Sequence, residues 1–207
     1  MARLGIMGGT FDPIHYGHLM AAEEARVRFA LERVIFVPNG RPPHKKDYAV
    51  TDAEHRYAMV LLATSSNLRF EASRMELERP GPSYTVDTLA QIREQSGPEA
   101  DLHFITGADA VPEILGWKDP QRLLGLCQLI AAARPGYRLD RALSSLDPEM
   151  RSRIHALNIP GVAVSSTEMR ARAAAGLPLT YLAPPEVVAY IAKHGLYASP
   201  EEVRPVA

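Results

Sequence analysis

Residues 8–18 read Gly8-Gly9-Thr10-Phe11-Asp12-Pro13-Ile14-His15-Tyr16-Gly17-His18. They follow a short apolar run at residues 4–7, which is typical of a buried first strand. They precede residues 19–31, whose pattern predicts a helix. A strand, a glycine turn and a helix start in this order predict an anion site, because free backbone N–H groups and the positive end of the helix point at one spot.

The same stretch contains two histidines, His15 and His18, that are three residues apart. This spacing places both rings on one face of the first helical turn. Two imidazole donors then lie beside a phosphate-sized hole, which favours a functional interpretation. The alternative is a plain tight turn that carries two surface histidines.

The bulk properties argue against several classes of protein. The 207 residues include 23 Lys and Arg against 24 Asp and Glu, so the net charge of −1 gives no global attraction to nucleic acid or to an anionic membrane. The single cysteine, Cys127, excludes an internal disulfide, and its apolar neighbours indicate a core residue. No run approaches the roughly 18 apolar residues of a membrane span. Without a signal-peptide cleavage region, the chain is expected to be cytoplasmic.

Short apolar runs alternate with helical patterns. This alternation predicts one α/β domain over residues 1–207, a Rossmann-like, doubly wound and mostly parallel sheet of five to six strands with helices on both faces, and a loose tail at 199–207. The predicted strands are residues 4–7, 33–38, 68–72, 102–106 and 129–133, with a sixth at 161–164 and no element assigned to 137–158. The predicted helices are residues 19–31, 53–65, 85–95, 119–126, 168–175 and 185–193, the second opening with a capping-box pattern from Thr51 to Glu54.

Polar segments follow five of these strands. They are residues 8–18, 39–46, 107–109, 134–136 and 165–170. In a doubly wound sheet the ligand lies beyond the carboxyl ends of the strands, at the point where the strand order reverses. We therefore expect these five separated segments to meet at one edge of the sheet and to form one site.

The box from His15 to His18 resembles the H-x-G-H signature of the nucleotidyltransferases related to class I aminoacyl-tRNA synthetases. The longer string from Gly8 resembles bacterial nicotinate-nucleotide adenylyltransferases, and matching motifs continue to Arg170. The resemblance implies transfer of the adenylyl group of ATP to nicotinate mononucleotide, giving deamido-NAD and pyrophosphate. It also implies Mg²⁺ that enters with ATP, without a metal site on the protein. The sequence does not fix the oligomeric state.

The resemblance also implies roles for individual residues. Catalytic roles fall to His15 and His18 as donors to phosphate oxygens, and to Lys45, Arg134 and Arg170 as cations. The residues implied for ATP are Gly8, Gly9, Thr10, Phe11, His18, Gly107, Asp109, Ser165, Ser166, Thr167 and Arg170. The residues implied for nicotinate mononucleotide are Asp12, His44, Lys45, Arg56, Tyr84, Thr85 and Trp117.

Several of these residues also have structural interpretations. The basic loop 39–46 is typical of a solvated surface, and Arg56 of an ordinary charge on a helix surface. Ser83 is a candidate helix cap, whereas the family holds the nicotinate carboxylate with backbone amides near Tyr84 and Thr85.

Three further residues carry two interpretations each. Trp117, the only tryptophan, is either a core residue or a stacking partner for a pyridinium ring, worth about 0.5–2 kcal/mol. Asp109 is either a helix cap or an acceptor for the adenosine ribose. Ser165 and Glu168 have capping-box spacing, which is compatible with phosphate binding at the same helix.

Three other functions share some of these sequence features. Sister transferases that use phosphopantetheine or a CTP substrate share the G-T-F-D and H-x-G-H strings, but Gly8-Gly9, the P-P-H-K loop, the S-Y-T segment and the distal S-S-T box argue against them. A class I tRNA synthetase would be longer and would carry a K-M-S-K-S loop. A nucleotide-binding protein without catalytic activity would be expected to have lost a histidine of the box or a distal arginine. Both histidines, His15 and His18, and both arginines, Arg134 and Arg170, are present.

Overall fold

The computed structural model describes residues 2–42, 49–133, 143, 146–160 and 163–199. Their strands form one parallel sheet in the order β3-β2-β1-β4-β5-β6, which confirms the predicted doubly wound α/β fold. The strands are β1 (Arg3–Gly9), β2 (Arg33–Pro38), β3 (Phe70–Ala72), β4 (Asp101–Gly107), β5 (Gln128–Ala133) and β6 (Ile154–Asn158). The strand order reverses between β1 and β4, which are hydrogen-bonded neighbours.

Helices connect the strands. They are α1 (Tyr16–Arg28), α2 (Ala53–Thr64), α3 (Met75–Glu78), α4 (Thr85–Ser96), a 3₁₀ helix (Ala108–Gly116), α5 (Pro120–Leu126), α6 (Pro148–Ser152), α7 (Ser166–Ala174) and α8 (Pro185–Lys193). Along the described ranges, no helix combines the length and apolarity that are needed to cross a membrane.

Each face of the sheet has its own buried core. In β1, Ile6 packs with Leu89 of α4 and Leu123 of α5, whereas the next residue, Met7, packs on the opposite face. The second core also contains Met59 of α2 and Val187 of α8. Successive side chains of a strand point to opposite faces, so this buried strand is apolar at almost every position. Cys127 is part of the first core, where burial raises the pKa of its thiol to about 12.

The sixth strand was predicted in the wrong place. The structure has β6 at Ile154–Asn158, inside the stretch 137–158, for which the sequence predicts no element. Of the predicted strand at 161–164, residues 163 and 164 are irregular and 161–162 lie outside the described residues. β6 is an edge strand whose positions range from buried to exposed, and it includes His155 and Asn158, which give a weak strand signal. The cap of α2 is Asp52, not Thr51, since the Asp52 side chain accepts from the Glu54 N–H.

Candidate active site

A buried carboxylate, Asp12, fixes the loop that follows β1 to the rest of the protein. Asp12 is 1% exposed, and its two oxygens accept from the Thr51 N–H at 3.2 Å and from the Tyr197 hydroxyl at 2.7 Å. Arg170 donates to the Asp12 carbonyl at 2.7 Å, and the Ser166 hydroxyl donates to the Pro13 carbonyl at 2.8 Å. The Asp12 side chain therefore faces the protein interior and lines neither of the cavities described below. Its predicted contact with substrate gains no support from this geometry.

His15 and His18 stack at the start of α1. Their ring centroids are 3.8 Å apart with an interplanar angle of 19°. Gly17 leaves room for this pair, since a Cβ there would lie 3.0 Å from the His15 ring. His15 is buried, and the rings share one wall of a cavity. The structure thus contradicts the alternative of two surface histidines.

The proton of His18 has a defined position. The backbone N–H of His15 donates to Nδ1 of His18 at 3.2 Å, so Nδ1 is an acceptor and Nε2 carries the proton. Burial and, second, the adjacent His15 lower the pKa of His18 well below its ordinary value. His18 is therefore a neutral imidazole with one N–H to donate.

A cavity of about 510 Å³ opens beyond the carboxyl ends of β1 and β4, at the switch point of the sheet. It brings together most of the residues that the sequence implied for ATP. Those in its wall are Gly8, Gly9, Phe11, His18, Gly107, Asp109, Ser165 and Ser166, and the wall also contains His15, for which a catalytic role was implied.

Helix α7 closes one side of this cavity. Ser165 caps the helix by accepting from the Glu168 N–H at 3.1 Å, as its spacing predicted. Arg170 lies one turn further on and contacts Thr167 at 3.4 Å in addition to the Asp12 carbonyl. The guanidinium of Arg170 thus joins α7 to the loop after β1, while Thr167 and Arg170 stay outside the cavity wall.

A second cavity of about 280 Å³ lies on the other side of β1. It contains Thr10, Tyr84, Thr85 and Trp117, all of which the sequence implied for one of the two nucleotides. The two cavities share Gly8, Gly9 and Thr106. The arrangement can hold two ligands end to end, with their junction over the glycines.

The walls of the second cavity combine an indole with a helix N-terminus. Trp117 is partly exposed and meets Phe104 edge to face, with ring centroids 6.1 Å apart. Tyr84 precedes the first turn of α4, and no side chain caps that helix. Ser83 instead accepts from the N–H groups of Gly40 and Arg41, each at 3.1 Å, so the prediction that it caps α4 is wrong.

Arg56 has a different environment from the one expected of a helix-surface charge. It is 1% exposed, and its guanidinium donates to the carbonyls of Thr51 and Thr10 at 2.8 Å and of Gly40 at 3.4 Å. It therefore holds together the loops after β1 and β2. The surface interpretation is wrong, and a direct contact with substrate stays a prediction.

Three predicted site residues, His44, Lys45 and Arg134, lie outside the described residues. Conversely, the second cavity contains polar residues that the sequence did not single out, namely Asn39, Glu76, Thr88, Glu113 and Lys118. Position was the one available signal for Asn39, which directly follows β2. Glu76 lies in an ordinary helical pattern and gave no signal, and Thr88 stands in the segment 82–88 without a role of its own.

The sequence matches the cytidylyltransferase-like family over residues 6–172. A protein from Moorella thermoacetica, named a probable nicotinate-nucleotide adenylyltransferase, is 60% identical over 198 residues, which cover 94% of this chain and 91% of that protein. The chain belongs to the nicotinate-nucleotide adenylyltransferase family. A second member of this family, from Thermoanaerobacter sp. and also named probable, is 50% identical over 203 residues, covering 97% and 96% of the two chains.

Solved structures have the same fold. The Plasmodium falciparum nicotinic acid mononucleotide adenylyltransferase complexed with NaAD superimposes with a TM-score of 0.75 at 21% identity, covering 95% of this chain and 98% of that one. The same enzyme complexed with APC gives a TM-score of 0.73 over the same shares. At this identity the likeness concerns the fold alone.

Proposed function

We propose that the protein transfers the adenylyl group of ATP to nicotinate mononucleotide, giving deamido-NAD and pyrophosphate. The observation that carries this proposal is the pair of cavities that share Gly8 and Gly9 at the carboxyl edge of the sheet. ATP occupies the larger cavity, against the His15–His18 pair, and the pyridine nucleotide occupies the smaller one. Family membership at 60% identity supports the same substrates.

The smaller cavity suits an aromatic acid. The Trp117 indole offers a face for an electron-poor pyridinium ring, with an attraction of about 0.5–2 kcal/mol. The N-terminus of α4 near Tyr84 and Thr85 offers N–H groups to a carboxylate. A carboxamide gains less there, because it is neutral and brings N–H donors toward other donors. We therefore propose a preference for nicotinate over nicotinamide mononucleotide.

The reaction forms one P–O bond and breaks another. An oxygen of the 5′-phosphate of nicotinate mononucleotide attacks the α-phosphorus of ATP. The bond between the α-phosphorus and the oxygen that bridges to the β-phosphorus breaks, and pyrophosphate leaves with its electrons. The nucleophile is already ionised near neutral pH, so positioning and charge stabilisation carry the catalysis. The Nε2–H of His18 donates to a phosphate oxygen, His15 supports it, and Lys45, Arg134 and Arg170 offset the remaining negative charge.

Mg²⁺ is proposed to enter with ATP. Within the described ranges, no group of three or more His, Cys, Asp or Glu side chains is arranged to hold a metal ion. Among the described residues that line the larger cavity, Asp109 is the one carboxylate, and it is exposed. Such a donor set fits Mg²⁺, which keeps several waters and binds through phosphates. The ion would reduce the charge of the triphosphate.

Because ATP is the donor, we propose a cytoplasmic location.

Pyrophosphate release with ATP and Mg²⁺ tests the proposal. The assay compares nicotinate mononucleotide, nicotinamide mononucleotide and phosphopantetheine as acceptors. We expect fast release with the first and much slower release with the second. Equal rates with both pyridine nucleotides would keep the transferase activity but overturn the carboxylate site at Tyr84 and Thr85. Release with phosphopantetheine alone would favour the sister transferase, and no release with any acceptor would contradict the proposed reaction.

A further inference from the structure

A buried carboxyl group forms part of the wall of the smaller cavity. Glu76 is the second residue of the short helix α3, is 4% exposed and borders the cavity. Buried carboxyl groups are rare in proteins unless they are paired and hydrogen-bonded. The proposed reaction gives Glu76 no chemical role, so its place in the wall needs another explanation.

Glu76 connects two of the segments that form the cavity. Its Oε1 accepts from the Thr88 hydroxyl in α4, and its Oε2 accepts from the Asn39 amide at 3.2 Å in the loop after β2. Arg79 donates to the same Thr88 hydroxyl oxygen at 2.8 Å and lies 3.8 Å from Oε1. Both oxygens of Glu76 are therefore used as acceptors, and a nearby cation offsets its charge.

The backbone reinforces this connection. A Cβ on Gly40 would clash with the carbonyl oxygen of Glu76, so the loop after β2 lies directly on α3. The hydroxyl of Ser83, just before α4, accepts from the N–H groups of Gly40 and Arg41. The loop after β2 and the first turn of α4 are thus held at a fixed separation, with Glu76 between them.

We propose that Glu76 is a positioning residue that sets the affinity of the smaller cavity for the anionic pyridine nucleotide, by holding Asn39 and the first turn of α4 in place. The proposal rests on the proposed function for the identity of this ligand. A glutamine at this position is the same size but replaces one acceptor oxygen with an NH₂ donor. With its oxygen toward the Asn39 amide, the glutamine turns its NH₂ toward the Thr88 hydroxyl, which can then no longer donate to it, and the charge that offsets Arg79 is lost.

The electrostatics agree with this role. Burial raises the pKa of Glu76 above its ordinary value, although Thr88, Ser83, Arg79 and Asn39 act in the opposite direction. Because Arg79 lies 3.8 Å from Oε1 and offsets its charge, this carboxylate repels an arriving anion less than an unpaired one would. The wall can therefore contain an acid without excluding an acidic ligand.

Steady-state kinetics of Glu76→Gln, with each substrate varied in turn, tests the proposal. Glu78→Gln is the matched control, because Glu78 lies on the same helix with its side chain 69% exposed. In Glu76→Gln we expect the KM for nicotinate mononucleotide to rise about tenfold and the KM for ATP to stay within about twofold. Glu78→Gln should leave both values within about twofold. Equal changes in both KM values, or none, would overturn the proposal.

A second variant tests the proposal independently in case Glu76→Gln does not fold. Asn39→Ala removes the donor to Oε2 at a half-buried position and should raise the same KM. Because Asn39 and Thr88 are both held through Glu76, the effects of the two changes on this KM should be less than additive in the double variant, whereas fully additive effects would contradict a shared mechanism. If the unaltered protein turns over nicotinate mononucleotide and Glu76→Gln behaves like the control, this inference fails and the proposed function stands. If the unaltered protein has no such activity, the proposed function fails.

Discussion

Tyr197 and Asp12 lie 185 positions apart in the chain, and the tyrosine hydroxyl donates to Oδ1 of the buried carboxylate at 2.7 Å. Burial, followed by Asp12, raises the pKa of Tyr197, so the hydroxyl keeps its proton. Asp12 also accepts from Thr51, and its carbonyl accepts from Arg170. The segment after α8 therefore positions the loop that leads to His15.

Tyr197→Phe should weaken both the fold and catalysis. The lost hydrogen bond to a buried carboxylate should lower the free energy of unfolding by about 1–3 kcal/mol in urea denaturation. Because the catalytic loop loses a support, we expect kcat to fall about tenfold. Tyr181→Phe is the control, since Tyr181 has the same φ of 67° and is 88% exposed. An unchanged kcat in Tyr197→Phe would show that the loop holds its position without this bond.

His18→Ala should remove a donor that acts on the transferred phosphate. Loss of one preorganised donor of this kind lowers kcat by about 10²–10³-fold. Pyrophosphate release under saturating substrates measures the effect. His194→Ala changes an exposed histidine at the end of α8 and should leave kcat nearly unchanged. A fall in kcat of less than about threefold in His18→Ala would contradict the assigned role.

The lowered pKa of His18 predicts a loss of stability in acid. The unfolded chain binds a proton at His18 as the pH falls through its ordinary value of 6.5, whereas the folded protein stays neutral there until a lower pH. The contribution of this group to stability is therefore complete above pH 6.5 and is lost as the pH falls toward the folded value.

Chemical denaturation of the wild-type protein and His18→Gln at several pH values measures this contribution. We expect the difference in unfolding free energy between the two proteins to be constant above the ordinary pKa and to turn against the wild-type protein in acid. His155, whose pKa is also lowered, is the same in both proteins and cancels. A difference that does not depend on pH would be evidence against a neutral His18.

Gly107→Ala tests the position of Asp109. A Cβ on Gly107 would clash with Oδ1 of Asp109, so the carboxylate must leave its present position in the wall of the larger cavity. We expect the KM for ATP to rise about tenfold, as for a lost hydrogen bond to ribose, and Asp109→Ala to give a similar value. Gly125→Ala is the control, since a Cβ there meets no atom within 4 Å. An unchanged KM for ATP in Gly107→Ala would remove the support for a ribose contact.

The strand, turn and helix start of the first segment could be predicted from the sequence, because their signals are local. A buried strand, a glycine turn and a helix start are contiguous from Leu4 to His18, and each is visible without knowledge of the rest of the chain. The parallel sheet then follows from the alternation of apolar runs with helices, and it brings Asp109 and Ser165 to the same cavity as His18.

The features that the sequence did not reveal depend on tertiary contacts. Arg56 and Glu76 have the charge and spacing of ordinary helix residues, and only the packing of distant loops over them makes them buried. In the same way, Asp12 precedes a helix like many surface aspartates, and its partner Tyr197 lies near the other end of the chain. No local pattern distinguishes such residues from exposed ones.

Gly8, Gly9 and Thr106 line both cavities, and this shared wall has a consequence for turnover. If the two nucleotides bind as proposed, the dinucleotide product is a bivalent ligand, because each half binds in its own cavity while the new bond keeps the other half nearby. The second half then binds at an effective concentration of order millimolar or more, and both halves must detach before the product leaves. The shared wall that brings two nucleotides together therefore also slows the release of the dinucleotide. We expect product release to be the slow step of turnover.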